Sequence, residues 1–100
     1  MDKRELLELC AKACGRELPN PVLRVTHHRG VAPYLWNPVG NDGDCFRMET
    51  QMRVGLTFHE DGVTAMTMEA LRGERYADHP DADAARRWAS CRAVAATVKS

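Results

Sequence analysis

Arg24, His27, His28 and Arg29 fall within six residues of one another, with Tyr34 and Trp36 close behind. Guanidinium and imidazole groups donate to phosphate oxygens and aromatic rings stack on bases, so this combination suits an anionic ligand with a planar part. Gly30 and Pro33 place it in a stretch where a ligand can approach the backbone, although a solvated polar loop has the same composition. A second group follows at once: Trp36-Asn37-Pro38-Val39-Gly40-Asn41-Asp42-Gly43-Asp44, then Cys45, Phe46 and Arg47. Two carboxylates across a glycine are half of a Mg²⁺ or Ca²⁺ site, but no further acids stand at EF-hand positions. Helix capping accounts for both Asp42 and Asp44 without a metal. Asn37 before Pro38 equally suits a turn. For a nucleotide-like ligand, Trp36 or Tyr34 would stack on the base, and Arg24, Arg29 and Arg47 would pair with phosphates. Asp42 or Asp44 would then hold ribose hydroxyls or base amines. Trp36 has an alternative use, covering the edge of a core.

The elements that must position these groups follow from periodicity. Leu6, Leu9, Cys10 and Ala13 recur at helical spacing, predicting a helix over about 2–14 with Asp2 as its cap and Gly15 at its end. Pro19, Pro21 and Pro33 forbid a continuous helix through 16–36 and leave room for one short strand at 22–26. A second helix is predicted over 42–52, capped by Asn41 or Asp42. The period then changes to two. Val54, Leu56 and Phe58 face one way, Glu60-Asp61-Gly62 turns the chain, and 63–68 alternates again, which predicts an antiparallel hairpin over about 54–68. Residues 72–83 read as a polar loop. A last helix starts near Asp81 or Asp83 and runs to about Val98, with Ala84, Trp88, Cys91, Ala95 and Val98 on its apolar stripe and Arg86, Ser90, Ala93 and Thr97 opposite. Trp88 is the expected anchor of that helix on the sheet. The class is therefore α+β in one domain of 100 residues.

Composition excludes several functions. Apolar residues make up 44% and charged residues 28%, which is globular rather than disordered. Fourteen basic residues balance fourteen acidic ones, seven of each in either half, so neither general nucleic-acid binding nor acidic DNA mimicry is expected. The sequence holds neither a bilayer-spanning apolar run nor a secretory signal, which makes the cytoplasm the expected compartment. Cys10, Cys14, Cys45 and Cys91 are expected to be reduced, buried, small apolar side chains, since no C-x-x-C or matching His pair accompanies them. Cys45 at a helix start is the one thiol whose pKa could be lowered. His59 and His79 have no partner visible in sequence, and Arg86, Arg87 and Arg92 read as solvated. There is no Gly-rich phosphate loop, no G-x-S-x-G and no H-E-x-x-H.

The run Trp36-Asn37-Pro38, Asn41-Asp42-Gly43-Asp44 and Cys45-Phe46-Arg47-Met48 resembles the core of a family of small tailed-phage and prophage proteins, in which Trp-Asn-Pro is followed by Asn-Asp-Gly-Asp-Ala-x-Arg-Leu. The Ala/Arg-rich stretch 84–93 is similar to that family's closing helix. The likeness covers 36 to the end of the chain and departs from the pattern at Cys45, where Ala is usual, at Phe46 and Met48, where Leu is usual, and at Trp88 and Cys91. It extends to phage domains described as an αβα sandwich. The resemblance implies such a sandwich and a phage origin, and it implies no reaction.

Together these features lead to an expectation of a phage-encoded anti-defence protein, without cofactor or metal, that sequesters a small anionic nucleotide-derived immune signal in the host bacterial cytoplasm. Arg24, His27, His28, Arg29, Tyr34, Trp36, Asn37, Asp42, Asp44 and Arg47 would form the site, at the sheet end beside the 16–36 loop, with room for a second subunit of a homo-oligomer to complete it. A protein-protein inhibitor of a host defence complex, of anti-CRISPR type, is the alternative, alongside an accessory protein with no enzymatic activity. A hydrolase or nucleotide-cleaving enzyme is the third reading.

Overall fold

The computed structural model describes the backbone of residues 2–16, 25–28 and 31–98, and the side chains of 2–16 and 36–98. Helix α1 (Lys3–Ala13) begins where the Asp2 carboxylate accepts the Glu5 amide at 2.8 Å. It ends at Gly15, whose φ of 69° is the left-handed conformation. The Gly15 amide returns to Lys12 and the Arg16 amide to Ala11, a Schellman closure that satisfies the last carbonyls. Helix α2 (Asp42–Met52) is capped by Asn41 rather than Asp42, with the Asp44 amide 2.9 Å from the Asn41 side-chain oxygen. Helix α3 (Ala82–Ala95) is capped by Asp81 in the same manner.

The chain forms two antiparallel pairings. Strands β1 (Val25–His28) and β2 (Val31–Leu35) make a hairpin, where one strand over 22–26 was expected. Positions 22–24 lie outside the described residues. Pro33 is accommodated in β2 because the register shifts opposite it, between Thr26↔Tyr34 and His28↔Val31, so no ladder donor is demanded there. The second sheet has the order β3-β4-β5, from β3 (Gly55–Phe58), β4 (Gly62–Met66) and β5 (Leu71–Arg75). The β3-β4 hairpin is the one expected from the alternation. Strand β5 and the 3₁₀ turn Tyr76–Asp78 occupy what reads in sequence as loop. Leu-Arg-Gly-Glu-Arg has little strand propensity; it becomes a strand because β4 offers it a matching ladder, Met66↔Leu71 through Gly62↔Arg75.

Helix α3 is buried on two sides. Toward the helices, Cys91, Val94 and Ala95 join Leu6, Leu7 and Cys10 of α1, Cys45 and Met48 of α2, and Trp36 and Val39. Toward the sheet, Ala85, Ala89 and Ala93 lie under Val63 and Ala65, with Leu56 and Tyr76 at the margin. Alanines at i, i+4 and i+8 form a ridge low enough for the helix to approach the strands closely. The α+β class and the three expected helices are present, stacked as sheet, then α3, then α1 and α2. Ser90 and Ala93, expected to face solvent, are fully buried by this arrangement. The helix's contact with the sheet is the alanine ridge; Trp88, partly buried, packs on the helical core instead.

Candidate functional site

The segment from Trp36 to Arg47 folds into a clasp. Asn37 accepts the Gly40 amide on its side chain at 3.0 Å, while its own amide donates to Asp44 Oδ2 at 2.9 Å. Gly40 is required by space, since a Cβ there would stand 2.6 Å from Asn37 Nδ2. Asp44 is 3% exposed, and its other oxygen takes Arg47 at 2.8 Å. Asp42 binds across to α3: its Oδ1 receives Arg86 at 2.9 Å and Arg87 at 2.7 Å, and Arg87 Nε also donates to the Val39 carbonyl. Arg86 continues to Glu49 Oε1 at 2.7 Å, whose second oxygen accepts Ser90 at 2.6 Å. Arg86 and Arg87 are thus structural cross-links, where solvated side chains were expected.

This geometry corrects two assignments. Trp36 is 1% exposed within the core, with the Arg16 guanidinium 5.0 Å over its ring, so it presents no face on which a base could stack. Asp44 is buried with both oxygens engaged by Asn37 and Arg47, so it is not presented to a ribose. Cys45 is fully buried, as expected of the four cysteines. Arg24 and Arg29 lie outside the described residues, and His27, His28 and Tyr34 are described only as backbone of the β1-β2 hairpin. The structure brings Asn37, Asp42, Asp44 and Arg47 together, as a clasp between α2 and α3.

The Arg87 hydrogen bond, with Arg86 adding to it, holds the Asp42 carboxyl below the usual carboxylate range. A carboxyl held low contributes stability above its unfolded value near 3.9 and loses it as pH falls through the folded value. Asp42→Asn is therefore expected to unfold more easily than the parent at pH 7, by no more than ~1 kcal/mol because water screens an exposed pair. The difference closes on acidification toward pH ~3, as urea titrations at the two pH values would show.

All four cysteines are buried free thiols. Burial, reinforced by Cys10, pushes Cys14 up to about 11. Hydrogen bonds from Cys10 and then Cys45, with burial, raise Cys91 as well. These two thiols stay protonated at neutral pH and behave as apolar packing groups. Among the described residues, no three His, Cys, Asp or Glu side chains are grouped to hold a metal ion.

A groove of about 680 Å³ opens elsewhere, between α1, α3 and β5. Leu6 and Leu9 come from α1, Arg72 and Glu74 from one face of β5, and Trp88, Arg92 and Ala95 from one face of α3. Glu74 accepts His79 Nε2 at 2.9 Å and also pairs with Arg92. The His79 and Trp88 ring centroids lie 6.1 Å apart, with the rings tilted by 37°. Arg72 is held only by the Leu71 carbonyl at 2.8 Å, and among the described residues it has no carboxylate partner. The groove therefore combines an apolar floor, an aromatic wall and a guanidinium whose charge is not neutralised.

None of the groove residues was among the expected site residues. The i, i+4 spacing of Trp88 and Arg92 was legible in sequence, but the pairing of Arg72 with Glu74 on one face depends on β5 being a strand. Among the described residues, no helix is long and apolar enough to cross a membrane. Comparison of the chain with protein-family models, with curated proteins and with solved structures returns no match.

Proposed function

We propose that this chain is a binding protein without catalytic activity, whose groove between α1, β5 and α3 captures a small anionic nucleotide-like ligand. The observation that carries the reading is that Trp88 and Arg72 line one groove: a planar apolar wall and a guanidinium with no carboxylate partner among the described residues, over a floor of Leu6, Leu9 and Ala95. Its volume of about 680 Å³ suits a small molecule. In this reading the base or another planar part lies against Trp88 and the phosphate meets Arg72, with Arg92 behind it. Among the described residues the lining offers no hydroxyl, thiol or amine nucleophile, and its one carboxylate, Glu74, is engaged by His79 and Arg92. Capture rather than turnover suits such walls. For a phage-encoded protein in the host cytoplasm, the biological result is sequestration of a nucleotide-derived immune signal.

Thermal-shift and calorimetric titrations with cyclic dinucleotides and ADP-ribose derivatives test this directly. The parent is expected to be stabilised by at least one of them. Arg72→Ala, which removes only a bond to its neighbour's carbonyl, is expected to keep the fold and weaken binding roughly tenfold or more, the usual loss for a charge-assisted contact. Absence of any shift across the panel overturns the reading.

A second reading is favoured by a separate observation. Met66, Met68 and Leu71 are 55%, 98% and 59% exposed around the β4-β5 connection, an apolar patch suited to protein contact. Inhibition of a host defence complex by occlusion would use that patch, and a stoichiometric protein partner lost on Met68→Asp would favour it over ligand capture.

A further inference from the structure

Strand β5 is an edge of the three-stranded sheet; among the described residues it pairs with β4 alone. The amide of Thr67 bonds the Ala70 carbonyl and the amide of Tyr76 bonds the Asp61 carbonyl. Those two bonds set the phase of the ladder. Arg72 and Glu74 are the β5 positions whose main chain bonds to β4, while the N-H and C=O groups of Leu71, Gly73 and Arg75 point to the open edge. An edge of this kind accepts another strand.

We propose that β5 pairs antiparallel with β5 of a second copy of this chain, with the two-fold axis passing through Gly73. The sequence Leu71-Arg72-Gly73-Glu74-Arg75 is self-complementary about that centre. Three two-fold registers use the open groups of Leu71, Gly73 and Arg75. An axis at Arg72 sets two arginines directly opposite each other, and an axis at Glu74 sets two glutamates opposite. An axis at Gly73 sets each Arg72 opposite the other copy's Glu74, twice, so cross-strand charge selects this register. On the outer face of the sheet, Gly73 then meets Gly73 with no side chain in between, and the exposed Leu71 covers the aliphatic stem of Arg75. The product is a continuous six-stranded sheet with the two α3 helices on the same side. Arg92, which reaches the Gly73 carbonyl at 3.4 Å, gives up that long contact and keeps Glu74, and Arg72 turns from the Leu71 carbonyl, 2.8 Å away, to the other copy's Glu74.

The pairing rests on strand phase and charge and is independent of what the groove binds. The two are nevertheless linked, because Arg72 cannot serve a bound phosphate and the second copy's Glu74 at full strength.

Sedimentation velocity of the ligand-free chain across micromolar to millimolar concentration provides the test. The parent is expected to reach twice its 11.2 kDa mass. Gly73→Pro removes an amide that β4 does not use, and a Cβ at this position meets nothing closer than Thr64 Oγ1 at 3.8 Å, so the monomer fold is expected to tolerate it at this edge position. This variant is expected to remain monomeric throughout. Arg72→Glu, which sets carboxylates opposite each other without touching the backbone, is expected to weaken association at least tenfold and serves if the proline variant folds poorly. A parent that stays monomeric to millimolar concentration, or a dimer that both substitutions leave intact, overturns the proposal.

Discussion

Glu49→Ala is expected to cost ~3 kcal/mol of unfolding free energy, the loss typical of removing one partner from a buried ion pair. The Glu49 and Arg86 side chains are 8% and 14% exposed, and Ser90 is fully buried beside them. Alanine leaves the Arg86 guanidinium with only the exposed Asp42 to compensate it, and it strands the Ser90 hydroxyl. For a domain of 100 residues this corresponds to a fall in melting temperature of roughly 10–20 °C. Glu49→Gln, which keeps an acceptor for Ser90 and the side-chain shape, is expected to lose about half as much. Thermal and urea unfolding of the two variants measure this, and an alanine variant within ~0.5 kcal/mol of the parent would show that the network is not a stabilising link.

Trp36→Ala is expected to be the other severe substitution, by ~3–5 kcal/mol, as for other large aromatic side chains truncated in a core. Leu6, Cys45 and Met48 belong to the same cluster and would line the void. The fold has only ~5–15 kcal/mol in total to lose. Trp36→Phe should lose much less, since a phenyl ring retains most of the apolar contact and removes an indole N-H that has no hydrogen-bond partner among the described residues. The informative measurement is a urea midpoint taken alongside ligand titration. A variant that unfolds early but binds normally while folded is the outcome that follows from burial. An unchanged midpoint with abolished binding would return Trp36 to the ligand site.

These two results bear on the same segment, Trp36 to Arg47, whose unusual composition suggests chemistry. Its residues are explained by one another and by α3. Asn37 closes the turn and Asn41 caps α2. Asp44 ties the turn to the helix, and Asp42 fastens both to Arg86 and Arg87. The stretches 36–47 and 84–93 are therefore in direct contact, and the unusual composition of the first is accounted for by folding. The candidate site lies on the other flank of α3, at residues that carry no comparable signature.

What the amino-acid sequence determined by itself was everything governed by neighbours along the chain. Asp2, Asn41 and Asp81 cap helices because their side chains reach amides three residues ahead, with Asp42 and Asp83 left open by sequence as alternatives for the last two, and Gly15 ends α1 because it adopts a positive φ without strain. The alternation over 54–66 carries its own turn and so its own register. The α+β class follows from those elements. The tertiary structure alone decided the rest, because each remaining feature depends on groups far apart in sequence. Leu71–Arg75 is a strand only beside β4. The burial of α3 on both sides is hidden in sequence because alanine carries too little hydrophobic signal to mark a second face, and because one strand of the sheet it meets is defined only by its pairing with β4. Arg86 reads as solvated until Glu49, 37 residues away, is placed against it. Trp36 reads as a cover on the edge of the core or as a stacking face, and its burial in the helical cluster decides between them, while the groove walled by Trp88 exists only where α1, α3 and β5 converge.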